Sequence, residues 1–139
     1  MSDKPVPVTK TDLLPIRSGD DVVRVRQQVR VRAVEIGLSL VDQTKIVTAA
    51  SELARNTLDY GGGGEVRVEV VQEGARRGVR LSFEDEGPGI PDIAKALTDK
   101  FTTGGGLGLG LGGAKRLSNE FHIESTPGIG TRVVIARWK

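Results

Sequence analysis

Residues 104–113 read GGGLGLGLGG, which is seven glycines and three leucines directly after Lys100-Phe-Thr-Thr. Glycine loses more conformational freedom on folding than any other residue, so such a run destabilises a fold unless the bare backbone has a function. Backbone N–H groups without neighbouring side chains can approach a phosphate chain closely, above all where a loop leads into a helix. The run therefore predicts a nucleotide-binding loop that leads into the start of a helix.

Length and composition narrow the class of protein. The 139 residues suffice for one domain with a core, so we expect a single domain over residues 1–139, with residues 1–10 frayed. A formal net charge of +2 requires no nucleic-acid partner. The absence of cysteine excludes disulfides and thiolate chemistry, and the single histidine, His122, argues against a His-based metal site. No apolar stretch approaches about 18 residues and no signal-peptide core is visible, so we expect a cytoplasmic protein with no membrane partner.

Hydrophobic periodicity predicts an α+β fold. Helices are expected at about residues 20–36 and 40–60, because Asp20 and Asp21 supply an acidic start, Gly37 a stop, and Ser39 with Asp42 resembles a capping box. Alternation predicts strands at 65–71, 79–85, 121–124 and 131–136, a short edge strand around 13–16, and short helices at 91–97 and after the glycine run. This order predicts a two-layer sandwich, with helices on one face of a mixed, mostly antiparallel sheet.

Each long helix is expected to bury one apolar stripe. The first segment also shows strand-like alternation, but its length and its glycine stop favour a helix with arginines on a solvated face. The inward residues are expected to be Val22, Val25, Val29, Ala33 and Ile36 in the first helix, and Ile46, Ala50, Leu53, Thr57 and Tyr60 in the second.

Glu52-Leu-Ala-Arg-Asn56 is the first candidate for chemistry. Glu52 and Asn56 are four residues apart on a predicted helix, so both side chains leave the same face. An amide oxygen suits Mg²⁺, which prefers oxygen ligands, and a carboxylate can accept a proton from an attacking hydroxyl. The alternative is an ordinary polar pair on the surface.

Asp85-Glu-Gly87-Pro-Gly89-Ile90 is the second candidate. An acid here leaves the end of a predicted strand, and the chain then turns on two glycines. A carboxylate in this position can accept a hydrogen bond from an amino group such as the exocyclic amine of adenine. The alternative is an ordinary turn between a strand and a helix.

Other nucleotide-binding motifs fit less well. GxGxxG occurs at Gly108, Gly110 and Gly113, but it does not follow a strand that opens a βαβ unit, as a dinucleotide-binding fold requires. No GxxxxGK[ST] is present, which excludes a Walker-type loop. No HRD or DFG is present, so the signature set of eukaryotic-type protein kinases is absent.

The motifs occur in a fixed order that resembles the GHKL ATPases, the group of gyrase, chaperone, histidine-kinase and MutL ATP-binding domains. Glu52-Leu-Ala-Arg-Asn56 matches their N box, and Asp85, Gly87 and Gly89 match the adenine-binding box. The glycine run matches the lid, and Gly128-Ile-Gly130-Thr131 matches the last box. Within this group the chain is most similar to the small serine kinases of bacterial partner-switching pathways, on residues 85–91, 101–108 and 113–117.

The resemblance implies a GHKL (Bergerat) fold that binds ATP with Mg²⁺. It implies that Glu52 is the general base for an incoming serine or threonine hydroxyl and that Asn56 ligates Mg²⁺. Asp85 would bind the adenine amine, with Thr131 nearby. The other ATP-binding residues that it implies are Gly87, Gly89, Ile90, Thr102, Thr103, Gly104, Gly105, Gly106, Leu107, Gly108 and Gly110.

The resemblance also implies protein partners. The implied substrate is a STAS-domain scaffold or antagonist protein, and the implied second partner is a regulatory phosphatase that is activated by binding; a homodimer is an open possibility. One alternative is an anti-sigma factor or nucleotide-dependent binding module that acts by sequestration. Another is a nucleic-acid binder that uses the arginines of the first helix, which are Arg24, Arg26, Arg30 and Arg32; scarce aromatic residues argue against it.

Overall fold

The structure, a computed structural model, describes residues 7–97 and 110–139. In chain order its elements are β1 (Val8–Ile16), α1 (Gly19–Glu35), α2 (Leu40–Asp59), β2 (Gly64–Glu73), β3 (Arg76–Asp85), α3 (Ile93–Ala96), α4 (Gly110–Arg116), β4 (Glu120–Thr126) and β5 (Gly130–Trp138).

The five strands form one sheet in the order β1-β2-β3-β5-β4. Every pairing between these strands is antiparallel, which confirms the mostly antiparallel sheet and leaves no parallel pair among the described strands. Alternate residues of the central strands, such as Val68 and Leu81, share one buried cluster with Val25 of α1 and Leu53 of α2. The helices therefore cover one face of the sheet, as the periodicity predicted.

Helix α1 confirms the helical interpretation of a segment with two competing periods. The Ser18 hydroxyl caps its first turn by accepting from the N–H of Asp21, and Gly37 follows its end with a φ of +83°. The predicted inward stripe is buried. The alternating valines Val23 and Val31 are exposed, because helical geometry turns them away from the sheet.

Helix α2 begins where the capping box predicted. The Ser39 hydroxyl accepts from the N–H of Asp42 at 3.1 Å, and four of the five predicted inward residues are buried. The prediction was wrong for Tyr60, which is 45% exposed. Tyr60 is the C-cap residue, so the helical rotation that would have turned it inward stops at Asp59.

Two segments differ from the predicted boundaries. Strand β1 begins at Val8, which pairs with Val71, so residues 8–10 are not frayed, while residues 1–6 lie outside the described residues. The edge position predicted for this strand is confirmed. Helix α4 begins at Gly110, inside the glycine run, and Gly112 and Gly113 are buried in it. The last four residues of the run are therefore helix rather than loop, and they pack where α4 contacts α2. Among the described residues, no helix combines the length and the apolarity that crossing a membrane requires.

Candidate nucleotide-binding site

Glu52 and Asn56 lie on the same side of α2, at the border of the core. Both side chains are half-buried, and the next residues along the helix, Leu53 and Thr57, are buried. Within the described part of the chain, neither the Glu52 carboxylate nor the Asn56 amide has a side-chain hydrogen bond or ion pair. Both polar groups therefore remain available to bind a ligand.

Asp85 is the last residue of β3 and lies between two neighbouring strands. Its register partners are Gly64 on β2 and Thr131 on β5. The side chain is half-buried, and its Oδ1 accepts a hydrogen bond from the N–H of Gly87 at 2.9 Å. This bond fixes the direction of the carboxylate and leaves Oδ2 available to another donor.

The turn after α2 brings the helix and Asp85 together. The N–H of Gly61 donates to the backbone carbonyl of Asn56 at 3.2 Å. A Cβ on Gly61 would stand 2.6 Å from Oδ2 of Asp85, and a Cβ on Gly87 would stand 2.7 Å from the Cα of Gly61. Three segments therefore meet at distances that only glycine permits, and the helix that carries Glu52 and Asn56 ends directly against the carboxylate of Asp85.

The loop after β3 is held by the turn between β4 and β5. Gly89 has a φ of +77°, and a Cβ there would stand 2.5 Å from the carbonyl oxygen of Thr126. The N–H of Gly128 donates to the carbonyl of Pro88 at 2.8 Å, and the N–H of Ile90 donates to the Ser125 hydroxyl at 2.7 Å. These contacts place the predicted residues Gly87, Gly89 and Ile90 in one fixed loop beside Asp85.

Thr131 lies near the start of β5, and its hydroxyl is 2.8 Å from that of Ser125. Because Thr131 is the register partner of Asp85, the structure brings the two predicted base-binding residues together. The sequence analysis missed Ser125, which no motif marked. The only signal in the sequence was its place on the strand that leads into Gly128-Ile-Gly130-Thr131.

The predicted phosphate-binding residues are described only in part. Gly110 is the first residue of α4, and a Cβ added to it would meet no atom within 4 Å. Thr102, Thr103, Gly104, Gly105, Gly106, Leu107 and Gly108 lie outside the described residues.

One arginine on β5 holds the start of α2 and the residue that follows α4. Arg137 on β5 donates to Oδ1 of Asp42 in the first turn of α2 at 2.8 Å, and to the carbonyl of Leu117, just after α4, at 3.3 Å. The hydrogen bond from Arg137 lowers the pKa of the Asp42 carboxyl, although burial acts in the opposite direction. Sequence reasoning missed this pair, because its members lie far apart along the chain.

The arginines of α1 are only partly the solvated face that was predicted. Arg24 pairs with Asp21 at 2.6 Å, and Arg32, whose side chain is 15% exposed, pairs with Asp12 at 2.8 Å. The hydrogen bond from Arg32 lowers the pKa of Asp12. Two of the four arginines thus form ion pairs with aspartates of this chain, so less of their charge is available to nucleic-acid phosphates. This weakens the nucleic-acid alternative.

Comparison with known proteins agrees with this arrangement. Residues 41–139 match the family described as histidine kinase-, DNA gyrase B-, and HSP90-like ATPase. The chain is 48% identical over 118 residues to the serine/threonine-protein kinase RsbT of Bacillus subtilis (strain 168), covering 85% of this chain and 89% of that one. It is 33% identical over 101 residues to an anti-sigma F factor of Bacillus licheniformis, covering 68% of each chain.

A solved structure supports the fold. The crystal structure of the RsbU and RsbW domains of Rv1364c from Mycobacterium tuberculosis superimposes with a TM-score of 0.65 at 24% identity. The match covers 93% of this chain and 32% of that one, so the chain spans about a third of the solved protein. The residues that match the family model include all of α2 except Leu40, the loop after β3 and the β4–β5 turn. The chain therefore belongs to the histidine kinase-, DNA gyrase B- and HSP90-like (GHKL) ATPases and, within them, to the RsbT-like serine/threonine kinases.

Proposed function

We propose that this protein is a cytoplasmic, single-domain kinase that transfers the γ-phosphate of ATP to a serine or threonine of a STAS-domain protein. Once released from that substrate, the kinase binds and activates a regulatory phosphatase. The observation that carries the proposal is the meeting of α2 with Asp85 at Gly61. It joins the carboxylate proposed to bind the base to a helix whose Glu52 carboxylate and Asn56 amide have no side-chain partner among the described residues. The 48% identity to a serine/threonine-protein kinase supports the same reaction.

Asp85 recognises the base. Its Oδ1 is already bonded to the N–H of Gly87, so Oδ2 is the atom available to accept from the exocyclic amine of adenine. Thr131 lies beside it. Gly87 and Gly89 let their loop pack closely against Gly61 and Thr126, which fixes the shape of this end of the site. Ile90, half-buried against the core, contributes an apolar contact to the base.

The glycine run and Asn56 bind the triphosphate. Residues 102–108 contribute backbone N–H groups and the hydroxyls of Thr102 and Thr103, and Gly110 begins the helix that follows. The Asn56 amide oxygen fits a hard cation, because it is half-buried and has no side-chain partner within the described residues. When bound there, Mg²⁺ would neutralise charge on the phosphate oxygens.

Glu52 is the general base of the transfer. The hydroxyl oxygen of the substrate serine attacks the γ-phosphorus, the bond to the bridging oxygen breaks, and ADP leaves with that oxygen. The serine proton passes to the Glu52 carboxylate, which has no ion-pair partner in the described part of the chain. Positioning and charge neutralisation supply most of the acceleration, since phosphoryl transfer needs little covalent help.

Phosphorylation would also act as the release step. A phosphoserine adds about −1.5 to −2 charges at neutral pH, and on a docking surface this charge opposes rebinding by desolvation and repulsion. The freed kinase would then bind the phosphatase. Sequestration of a sigma factor is the second candidate function, and the likeness to anti-sigma F factors favours it.

The direct test is incubation of the protein with γ-labelled ATP and a STAS-domain protein encoded beside it. We expect label on a serine or threonine of the STAS protein. Glu52→Gln should retain ATP binding and lose transfer by about 10²–10⁴-fold. Glu73→Gln, at the exposed end of β2, is the matched control and should transfer normally. Intact ATP binding with an unlabelled STAS protein, together with capture of a sigma subunit, would favour sequestration instead.

A further inference from the structure

The Ser125 hydroxyl lies among three polar groups at the base of the loop after β3. It accepts from the N–H of Ile90 at 2.7 Å and donates to the carbonyl of Gly130 at 3.2 Å. Its third neighbour is the Thr131 hydroxyl at 2.8 Å, where either oxygen can be the donor. Ser125 itself is half-buried on β4 and does not border Asp85 directly in the sheet, where β5 lies between them.

A count of protons fixes the direction of these bonds. A serine hydroxyl has one proton and two lone pairs. If Ser125 donates to Gly130, both lone pairs remain, and one accepts from Ile90 while the other accepts from Thr131. All three bonds then form at once. If Ser125 instead donates to Thr131, the bond to the Gly130 carbonyl is lost, so the first arrangement makes one more hydrogen bond and is favoured.

The consequence for Thr131 is that its only proton is used internally. Its oxygen then offers a neighbouring group lone pairs and no proton. Asp85, the register partner of Thr131, is also an acceptor in its ionised form. Side chains of antiparallel partners leave the same face of a sheet with their Cβ atoms about 4.5–5.5 Å apart. The pair therefore offers a bound base two neighbouring acceptors, the Asp85 carboxylate and the Thr131 hydroxyl oxygen, and no hydroxyl donor.

We propose that Ser125 is a positioning residue for base selection, which holds Thr131 as a hydrogen-bond acceptor so that the site prefers a 6-amino purine to a 6-oxo purine. This inference rests on the proposed function, since it concerns the base end of the same ATP site. A 6-amino group offers two protons, which Asp85 and Thr131 accept directly or through one water. A 6-oxo group at the same place offers only lone pairs, and it faces two acceptors.

The test compares ATP with inosine triphosphate, which has a 6-oxo group and a protonated N1 and lacks the 2-amino group of guanine. Both are titrated calorimetrically into the wild type and into Ser125→Ala, at saturating Mg²⁺. Removal of the serine frees Thr131 to rotate and to donate to a 6-oxo group, so the preference for ATP should fall by about tenfold. Ser125→Ala also removes the hydrogen bond from the N–H of Ile90, which should weaken the binding of both nucleotides equally. The ratio of the two dissociation constants therefore isolates the effect on Thr131.

Two further variants separate positioning from a general structural role. Ser125→Thr keeps the hydroxyl and should keep the wild-type ratio. Thr131→Val removes the acceptor and should itself lower the ratio, and adding Ser125→Ala to it should change the ratio no further, because the serine acts through Thr131. Ser125→Thr and Thr131→Val alone remain informative even if Ser125→Ala folds poorly.

Two results would overturn the inference. One is an unchanged ratio of the two dissociation constants in Ser125→Ala, even if both nucleotides bind more weakly. The other is that Ser125→Ala still lowers this ratio in full when Thr131 is already valine. If the folded wild type binds neither nucleotide, the proposed function fails and this inference fails with it. If the wild type binds ATP and the ratio of dissociation constants is the same with and without Ser125, the proposed function stands and only the role of Ser125 is wrong.

Discussion

Asp85 and Thr131 are register partners across β3 and β5, although about a third of the chain separates them in sequence. Neighbouring partners in an antiparallel pair present their side chains on the same face, so the register of one strand pair decides whether the two polar groups meet. A shift by one residue would turn Thr131 to the opposite face. Base recognition therefore depends on the same register that packs Phe83 and Val133 into the core.

Replacement of Asp85 tests the base contact. Asp85→Asn keeps the size of the side chain but removes the charge and exchanges an acceptor for an NH₂ group. We expect the affinity for ATP to fall by about 10–100-fold, which corresponds to the loss of a hydrogen bond to a charged group. Isothermal titration calorimetry measures the change. Glu84→Gln is the control, because Glu84 is exposed and forms a surface ion pair with Arg132, and it should leave affinity within about twofold. Equal losses in both variants would count against a specific role for Asp85.

A single methyl group tests the contact between α2 and Asp85. Gly61 does not have a positive φ, so alanine fits its backbone, but the new Cβ would overlap the Asp85 carboxyl group. We expect Gly61→Ala to displace that carboxyl group and to weaken ATP binding by at least about tenfold. Gly19→Ala adds the same methyl group where no atom lies within 4 Å and should bind ATP normally. Normal affinity in Gly61→Ala would show that the close approach is not needed for binding.

Asn56 is tested through the dependence of ATP affinity on Mg²⁺. Titrations of ATP at several Mg²⁺ concentrations, and with the metal removed by a chelator, give the gain in affinity that Mg²⁺ provides. Asn56→Ala should reduce this gain by about tenfold, since it removes a proposed ligand, and should change metal-free binding little. Gln72→Ala removes an amide from the far end of β2 and should retain the full gain. If Asn56→Ala retained it too, Asn56 would not be the ligand.

The Asp42–Arg137 ion pair predicts a loss of stability in acid. The pKa of Asp42 is lower in the folded chain than in the unfolded chain, so the stabilisation is fully present above the unfolded pKa of about 3.9 and is lost as pH falls through the folded pKa. The pair is partly exposed, so we expect about 0.5–1 kcal/mol. Urea unfolding of the wild type and of Asp42→Asn at pH 7 and pH 3 measures this contribution. The variant should have a lower free energy of unfolding at pH 7, and its difference from the wild type should be smaller at pH 3. A gap independent of pH would contradict the prediction, and Asp59→Asn, at the exposed end of α2, serves as control.

The elements of the fold followed from local patterns. Both long helices could be predicted because their caps and their stripes lie within a few residues of each other, as with Ser39 and Ile46. Tyr60 was misassigned because the stripe was extended one residue past the end of the helix. The start of α4 was predicted too late in the sequence because glycine is a poor helix former in isolation. In the fold Gly113 is a buried residue of α4, and this packing offsets the cost.

The site was predictable only where a motif carried it. Glu52, Asn56 and Asp85 belong to motifs whose order along the chain was visible. Gly61 directly follows the helix predicted over residues 40–60 and belongs to no predicted motif, and its approach to Asp85 depends on how α2 packs on the sheet. Ser125 is an ordinary strand residue until the β4–β5 pairing places it beside Thr131, and such pairing is a property of the folded chain.

The turn between β4 and β5 has a consequence for the order of folding. Ser125 and Gly128 hold the loop that begins at Asp85, although they lie far from it along the chain. These contacts cannot form before the β4–β5 hairpin has closed against the rest of the sheet. A partly folded chain with α2 and β3 in place but the hairpin open would therefore lack the contacts that give this loop its shape.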